Sequence, residues 1–185
     1  MEGLYVISGL AFVILLWIIG IYNSLVRLRQ HVRDSWSGID TELRRRYDLI
    51  PNLVNTVKGY ASHEKEILSS VTHARTRALT STGSPSHQAA DENVLVKELG
   101  SLFAVSENYP ELKASKNFLE LMRELSNTED RIQASRRLYN GNVRDLNTRI
   151  EVFPSNILAS LFNFSRAEYF EIEEVSASQI PRIEL

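Results

Sequence analysis

Apolar residues recur through the middle of this chain at Val32, Trp36, Ile39, Leu43, Tyr47, Ile50, Val54, Val57, Ala61, Leu68, Val71 and Ala78. The steps alternate mostly between four and three, the spacing of a helix packed at a shallow angle on its neighbours. The pattern predicts one very long helix over most of residues 32–79, with Arg44, Arg45, Asp48, Lys58, Lys65 and Glu66 on its outward faces. Pro51 lies inside it. A proline there removes a backbone donor and presses on the carbonyl of Tyr47, so a bend near Ile50 is expected rather than a stop. Asn52 and Asn55 stand ready for the freed carbonyls.

The same pattern reads on from there. Thr80–Ser86 is a turn by composition, with Ser84 and Pro85 as N-cap and first residue of a second helix. That helix runs to about Asn108, with Val94, Leu95, Leu99, Leu102 and Phe103 facing inward. A third starts near Ser115 with the seam Phe118, Met122, Leu125, Glu129, Ile132, Arg136, Tyr139, Val143, Leu146, Ile150 and Phe153. Glu129 and Arg136 are polar intruders in that row, either a buried pair that fixes register or a wet level of the seam. Phe153 and Pro154 close the helix, and Ser155 caps a short fourth one reaching about Phe162. Ile157, Leu158, Leu161, Phe162, Phe164, Tyr169 and Phe170 hold too much apolar surface for a free tail, so they close the bundle or bind a partner. Residues 173–185 read as a flexible acidic tail.

Ahead of the periodic region lies a different pattern. No charged residue occurs from Gly3 to Val26, and the nineteen residues Leu4–Tyr22 are apolar almost throughout. As helix they span ~28 Å, close to the hydrocarbon thickness of a bilayer. Tyr5 at one end, with Trp17 and Tyr22 towards the other, resemble interfacial aromatics. A cleaved signal peptide wants a basic start and a small-residue cleavage site, whereas Glu2 sits at the start here and no Ala-x-Ala follows. The segment therefore reads as a single-pass transmembrane helix. Arg27, Arg29 and Arg33 follow it, so the positive-inside rule puts the remainder on the cytoplasmic side.

Composition narrows the chemistry. The 185 residues carry a formal net charge of −2 and no cysteine, which excludes a disulfide scaffold, thiolate zinc sites and thiol catalysis. His63-Glu64 opens like a zinc-protease motif, but Ile67 stands where the second histidine belongs. No histidine has a glutamate three residues before it, as a di-iron bundle needs. A Gly-rich phosphate loop and a Gly-x-Ser-x-Gly elbow are both absent. The arginines between 131 and 149 are interleaved with acids, which argues against nucleic acid. No catalytic residue, metal or cofactor is assigned.

Two stretches resemble the LemA family. One is Asp48-Leu-Ile-Pro-Asn-Leu-Val-Asn-Thr-Val-Lys-Gly-Tyr-Ala-Ser-His-Glu64. The other joins Glu129-Asp-Arg-Ile132, Tyr139-Asn140, Val143-Arg-Asp145, Asn147-Thr148 and Ile150-Glu-Val-Phe-Pro-Ser-Asn156. With Tyr22–Arg27 the likeness covers roughly residues 20–170. It implies a bacterial inner-membrane protein with an antiparallel bundle of about four helices and no established activity. It also implies relatives in magnetosome membranes, scaffold or adaptor work near a membrane metalloprotease, and some lipoproteins on the outer side of the membrane. Pro51, Asn52, Asn140, Asn147, Phe153 and Pro154 are carried over as structural residues.

The expectation is an all-α chain with a transmembrane anchor over 1–26, a helical bundle over 27–172 and the tail beyond. Trp36, Ile39, Leu43, Glu129, Ile132, Arg136, Tyr139 and Asn140 should line the seam or an interface. By rise per residue, helix two at ~36 Å is much shorter than helices one and three at ~70 and ~58 Å. One seam would then project uncovered until a second copy buried it, which predicts a homo-oligomer. The expected function is a non-enzymatic, membrane-anchored scaffold, or alternatively an adaptor or regulator of a membrane metalloprotease.

Overall fold

A computed structural model of the chain describes residues 1–172, and the acidic tail lies outside them. The described residues are all-helical: α1 Glu2–Tyr60, α2 Lys65–Leu79, α3 Pro85–Ser106, α4 Pro110–Lys113, α5 Lys116–Glu151 and α6 Ser155–Leu161. By their internal contacts they fall into two units. One comprises Met1–Ser37 with Leu138–Ala167, the other Gly38–Arg137 with the chain from Glu168 on.

In the first unit, α1 begins as a helix long and apolar enough to cross a membrane. Its side chains up to Trp17 are exposed, and Leu4, Leu10 and Leu16 are all more than half exposed. The Ser8 hydroxyl donates back to the Leu4 carbonyl at 2.8 Å, so its polar atom needs no water. Burial starts at Ile21 and Leu25, which pack with Leu158, Ala159 and Phe164. From there α5 runs antiparallel to α1. Ile150 lies against the Ile21–Leu25 cluster, Asn142 Nδ2 donates to the His31 carbonyl at 3.2 Å, and the Tyr139 and Trp36 rings sit 5.3 Å apart.

In the second unit, the seam of α1 is buried at Ile39, Leu43, Tyr47, Ile50, Leu53 and Val57. Pro51 is inside α1 and does not stop it. Leu53 takes the buried place expected of Val54, which is half-buried.

The long helix ends earlier than its periodicity predicts, at Tyr60 rather than near Leu79. The physical reason lies in the seam itself: after Val57 and Ala61 the next in-phase position is Glu64, and a straight helix would bury that carboxylate. Instead the chain turns over 61–64, and Glu64 starts α2, where a negative charge is favourable. Its carboxylate accepts the Tyr109 hydroxyl at 3.2 Å. His63 lies in this turn and not on a helix face.

α2 turns back along α1 and packs on α3, burying Leu68, Val71, Ala74 and Ala78. What read as one helix is therefore two folded on each other. Within the chain the α1 seam is buried from Ile39 to Val57.

Two ends also differ from expectation. The α5 seam stops at Ile150, and Phe153 points outward at 79% exposure because α5 ends at Glu151. Val94, placed inward by periodicity, is exposed, while Ala89, Asp91, Glu92 and Val96 are buried.

Candidate functional site

The second unit contains a buried polar hub, and Arg46 is its centre. Arg46 follows Leu43 by three and precedes Ile50 by four, so it occupies a seam position despite standing in a run of three arginines. Its side chain is fully buried. One amino group, Nη2, donates to Glu92 Oε2 on α3, and the other, Nη1, donates to Glu129 Oε1 on α5 at 2.6 Å. Burial alone would lower its pKa, but attraction to Glu129 and Glu92 outweighs that, and the net shift is upward. Arg46 Nε is buried with no hydrogen-bond partner.

Glu92 is also fully buried and collects three donors. Besides Arg46, the Tyr47 hydroxyl donates to its Oε1, and Gln88 Nε2 lies 2.8 Å from the same atom. Gln88 also reaches the Ala78 carbonyl at 3.1 Å, tying α3 to the end of α2. Burial, and then the Glu92 carboxylate, push the Tyr47 phenol well above its ordinary value. Tyr47 thus stays a donor, as a buried carboxylate with two lone-pair-rich oxygens requires.

The backbone of Tyr47 joins the same hub. Its carbonyl is the one that Pro51, lacking an N–H, leaves without a helical partner. Arg75 Nε on α2 donates to it at 2.6 Å. Asn52 and Asn55, expected in this role, are exposed, and the Asn52 carbonyl instead accepts the Thr56 hydroxyl at 2.8 Å. An arginine can span the gap from a neighbouring helix, whereas an asparagine one residue beyond the proline points to solvent. Pro51 therefore opens a docking point on α1 that α2 fills.

Of the two alternatives for Glu129 and Arg136, a mutual pair or a wet level of the seam, the pair is not formed. Glu129 is 14% exposed and bonds Arg46, while Arg136 Nη1 donates to the Ile172 carbonyl and so holds the chain's return segment. Ile132 is buried, and Asn140 is half-buried. In the first unit, Asn147 clamps the same return: its Nδ2 donates to the Ala167 carbonyl at 3.0 Å and its Oδ1 accepts the Ala167 N–H at 2.9 Å.

Ser84 has the extended backbone of an N-cap with Pro85 first in α3, but its hydroxyl makes no capping bond and meets Ser86 Oγ at 2.8 Å. Ser86 donates to Glu168 at 2.6 Å. The Ser86 hydroxyl, and then that of Ser84, hold the Glu168 carboxyl below its ordinary range. Ser155 works backwards rather than forwards. Pro154 stands at the N-cap of α6, and the Ser155 hydroxyl donates to the Arg149 and Val152 carbonyls at 2.7 and 3.0 Å, closing α5.

Of the membrane flank, Tyr5 and Trp17 are exposed. Tyr22 makes edge contacts with Phe162 and Phe164 at 4.9 and 5.9 Å. Arg29 lies 4.8 Å above the Phe164 ring, and Arg27 and Arg33 are exposed. Arg46, Glu92, Arg75 and Gln88 escaped the sequence reading. For Arg46 the signal was present in the three-and-four spacing, but for Glu92 and Arg75 nothing local distinguishes them from solvated charges.

The hub lies within the part of the chain that is similar to known proteins. The model of the LemA family matches residues 35–185, which include the whole hub. "Protein LemA" of Metamycoplasma hominis is 27% identical over 90% of this chain and 76% of its own length. "Magnetosome protein MamQ 2" of Paramagnetospirillum magneticum is 28% identical over 81% of this chain, which spans just under two thirds of that protein, 64%. "Magnetosome protein MamQ" of Magnetospirillum gryphiswaldense is 26% identical over 92% of this chain and 71% of its own length. The exposed apolar start of α1 and these relatives fit a membrane location. Matched by the family model over most of its length, this chain belongs to the LemA family.

Proposed function

We propose that this protein is a membrane-anchored, non-enzymatic helical scaffold that self-associates and organises membrane or partner proteins. The observation that carries the reading is α1, whose exposed apolar first part continues as helix into a seam closed by the polar hub. The hub supports structural work over catalysis, because its buried side chains are engaged with one another. Arg46 is held charged and Tyr47 protonated, each spent on a neighbouring carboxylate. Such networks fix register between helices. Exposed Arg27, Arg29 and Arg33 after the apolar run support a single pass through a bacterial inner membrane with the remainder in the cytoplasm.

Since the α1 seam is covered, self-association in this reading uses exposed apolar positions such as Leu138, 61% exposed on α5. Particle mass in mild detergent tests it: a mass of two or more chains is expected, and a strictly monomeric particle contradicts it. The same scaffold would serve as adaptor or regulator of a membrane metalloprotease. Co-purification of such a protease, with altered proteolysis on deletion, distinguishes that partner from a second copy.

A further inference from the structure

The α5–α6 corner exposes a second apolar surface that the spanning helix does not account for. Phe153, Ile157 and Leu161 are 79%, 58% and 69% exposed, and Val152 and Phe162 beside them are also open. Ile157 and Leu161 are four apart and share a face of α6. Asn156 and Ser160, one residue earlier in each case, give the neighbouring face a polar edge, while Leu158 and Ala159 are the buried side. The corner therefore has three faces: one on the protein, one apolar and open, one polar and open.

Its depth is fixed by contacts along α1. The successive pairings Trp36–Tyr139, His31–Asn142 and Ile21/Leu25–Ile150 carry α5 steadily towards the apolar run. Leu158, Ala159 and Phe164 then pack on Ile21 and Leu25 with Ile18 alongside, and the Phe162 ring meets Tyr22. Ile18–Tyr22 is the last turn of the segment Leu4–Tyr22 whose ~28 Å matches the hydrocarbon core. A helix beside that turn sits at the boundary between acyl chains and headgroups. Two arginines border it there: Arg29, 4.8 Å above the Phe164 ring, and Arg166, which pairs with Glu151 at 2.7 Å. An apolar face bordered by polar side chains and arginines at that depth is what an interfacial helix presents.

The geometry points to α6 and the preceding Val152–Phe153 corner as a lipid-binding element that lies in the membrane interface, beside the point where α1 leaves it. The occupant of this face is the bilayer, continuous with the lipid around α1, and it rests on the reading of Leu4–Tyr22 as a membrane span. The element fixes the tilt and depth of the first unit where a lone spanning helix would swivel.

The absence of native cysteine makes the test direct. Full-length L10C, L138C, I157C and L161C variants, each carrying one environment-sensitive fluorophore, are reconstituted in phosphatidylcholine–phosphatidylglycerol vesicles. Phosphatidylcholine brominated either near the headgroup or near the chain end serves as quencher. Labels at 157 and 161 should lose fluorescence by roughly twofold or more with lipid brominated near the headgroup, as an interfacial site requires. The label at 10 should respond better to the deep bromine, and that at 138 to neither. Labels at 157 and 161 as unresponsive as that at 138, with 10 still quenched, overturn the corner's lipid contact alone. Blue-shifted but unquenched emission at 157 and 161 means protein covers them, which also overturns it. Loss of quenching at 10 as well removes the spanning reading, and the corner's role falls with it.

Discussion

Two leucines on α1 set the contrast that organises this molecule. Leu10 is 62% exposed, while Leu25, fifteen residues on along the same helix, is completely buried. Further along that helix, in the second unit, Arg46 is as buried as Leu25. Along α1, burial thus does not follow hydrophobicity: its greasiest part is exposed, and a charged residue is buried against carboxylates from two other helices. The lesson is that the two regions answer to different solvents. An apolar run without periodicity needs no protein to hide it when lipid surrounds it. A three-and-four seam carrying an arginine needs carboxylates placed by the fold, because a lone buried charge is prohibitive.

The contrast breaks most severely at Arg46. R46M leaves Glu92 buried without its cation and should cost about 3–5 kcal/mol in chemical unfolding of the detergent-solubilised protein. Adding E92L, which removes the stranded charge, should recover much of that loss. A cost for R46M under about 1 kcal/mol would mean that the hub is not as dry as the structure has it. Next in size is the leucine pair itself. L25A should cost about 2–4 kcal/mol for the cavity it opens, whereas L10A should cost close to nothing by the same assay.

The docking of Arg75 on the Tyr47 carbonyl predicts a coupling rather than a single loss. R75A should cost about 1–2 kcal/mol by stranding that carbonyl. P51A restores an N–H to the helix at that point, so R75A in the P51A background should cost less than about 0.5 kcal/mol. Additive effects would show that the proline and the arginine do not serve one carbonyl.

Titration sharpens the contrast further. Tyr47 has a folded pKa raised above the ordinary value of about 10. Its contribution is therefore complete below that ordinary value and is lost as pH rises from there through the raised folded pKa. Stability should fall on the alkaline side, and Y47F should flatten that fall. The smallest effect belongs to exposed Glu168, whose pKa is lowered, so its contribution is present above the ordinary carboxylate range and fades as pH drops. S86A should move the Glu168 titration upward in an NMR pH series, with little change in stability.

How much of this was legible varies with the element. The apolar start of α1 and the Ser84–Pro85 start of α3 were plain, because each is set by local chemistry. The ends of α1 and α2 were not, since Val57, Ala61 and Leu68 stay in phase across a turn that contains no proline or glycine. Only Glu64 in the in-phase gap betrays the break. Asp48–Glu64 was recognisable as a family signature, yet the physical reason for its proline lies with Arg75, twenty-four residues downstream on another helix. Partners that the fold brings together leave no trace in spacing. For the same reason Arg136 and Glu129, seven apart on one helix, looked like a pair and turned out to have separate partners.

Where the first part of α1 resides decides between lipid and water as its surroundings. Alkaline carbonate extraction of membranes from cells expressing the full-length chain reads this in one step, because it strips peripheral proteins and leaves spanning ones. The prediction is that the protein stays with the membrane pellet. Its appearance in the supernatant, folded and at native size, would contradict the claim that lipid is the missing partner of Leu4–Tyr22.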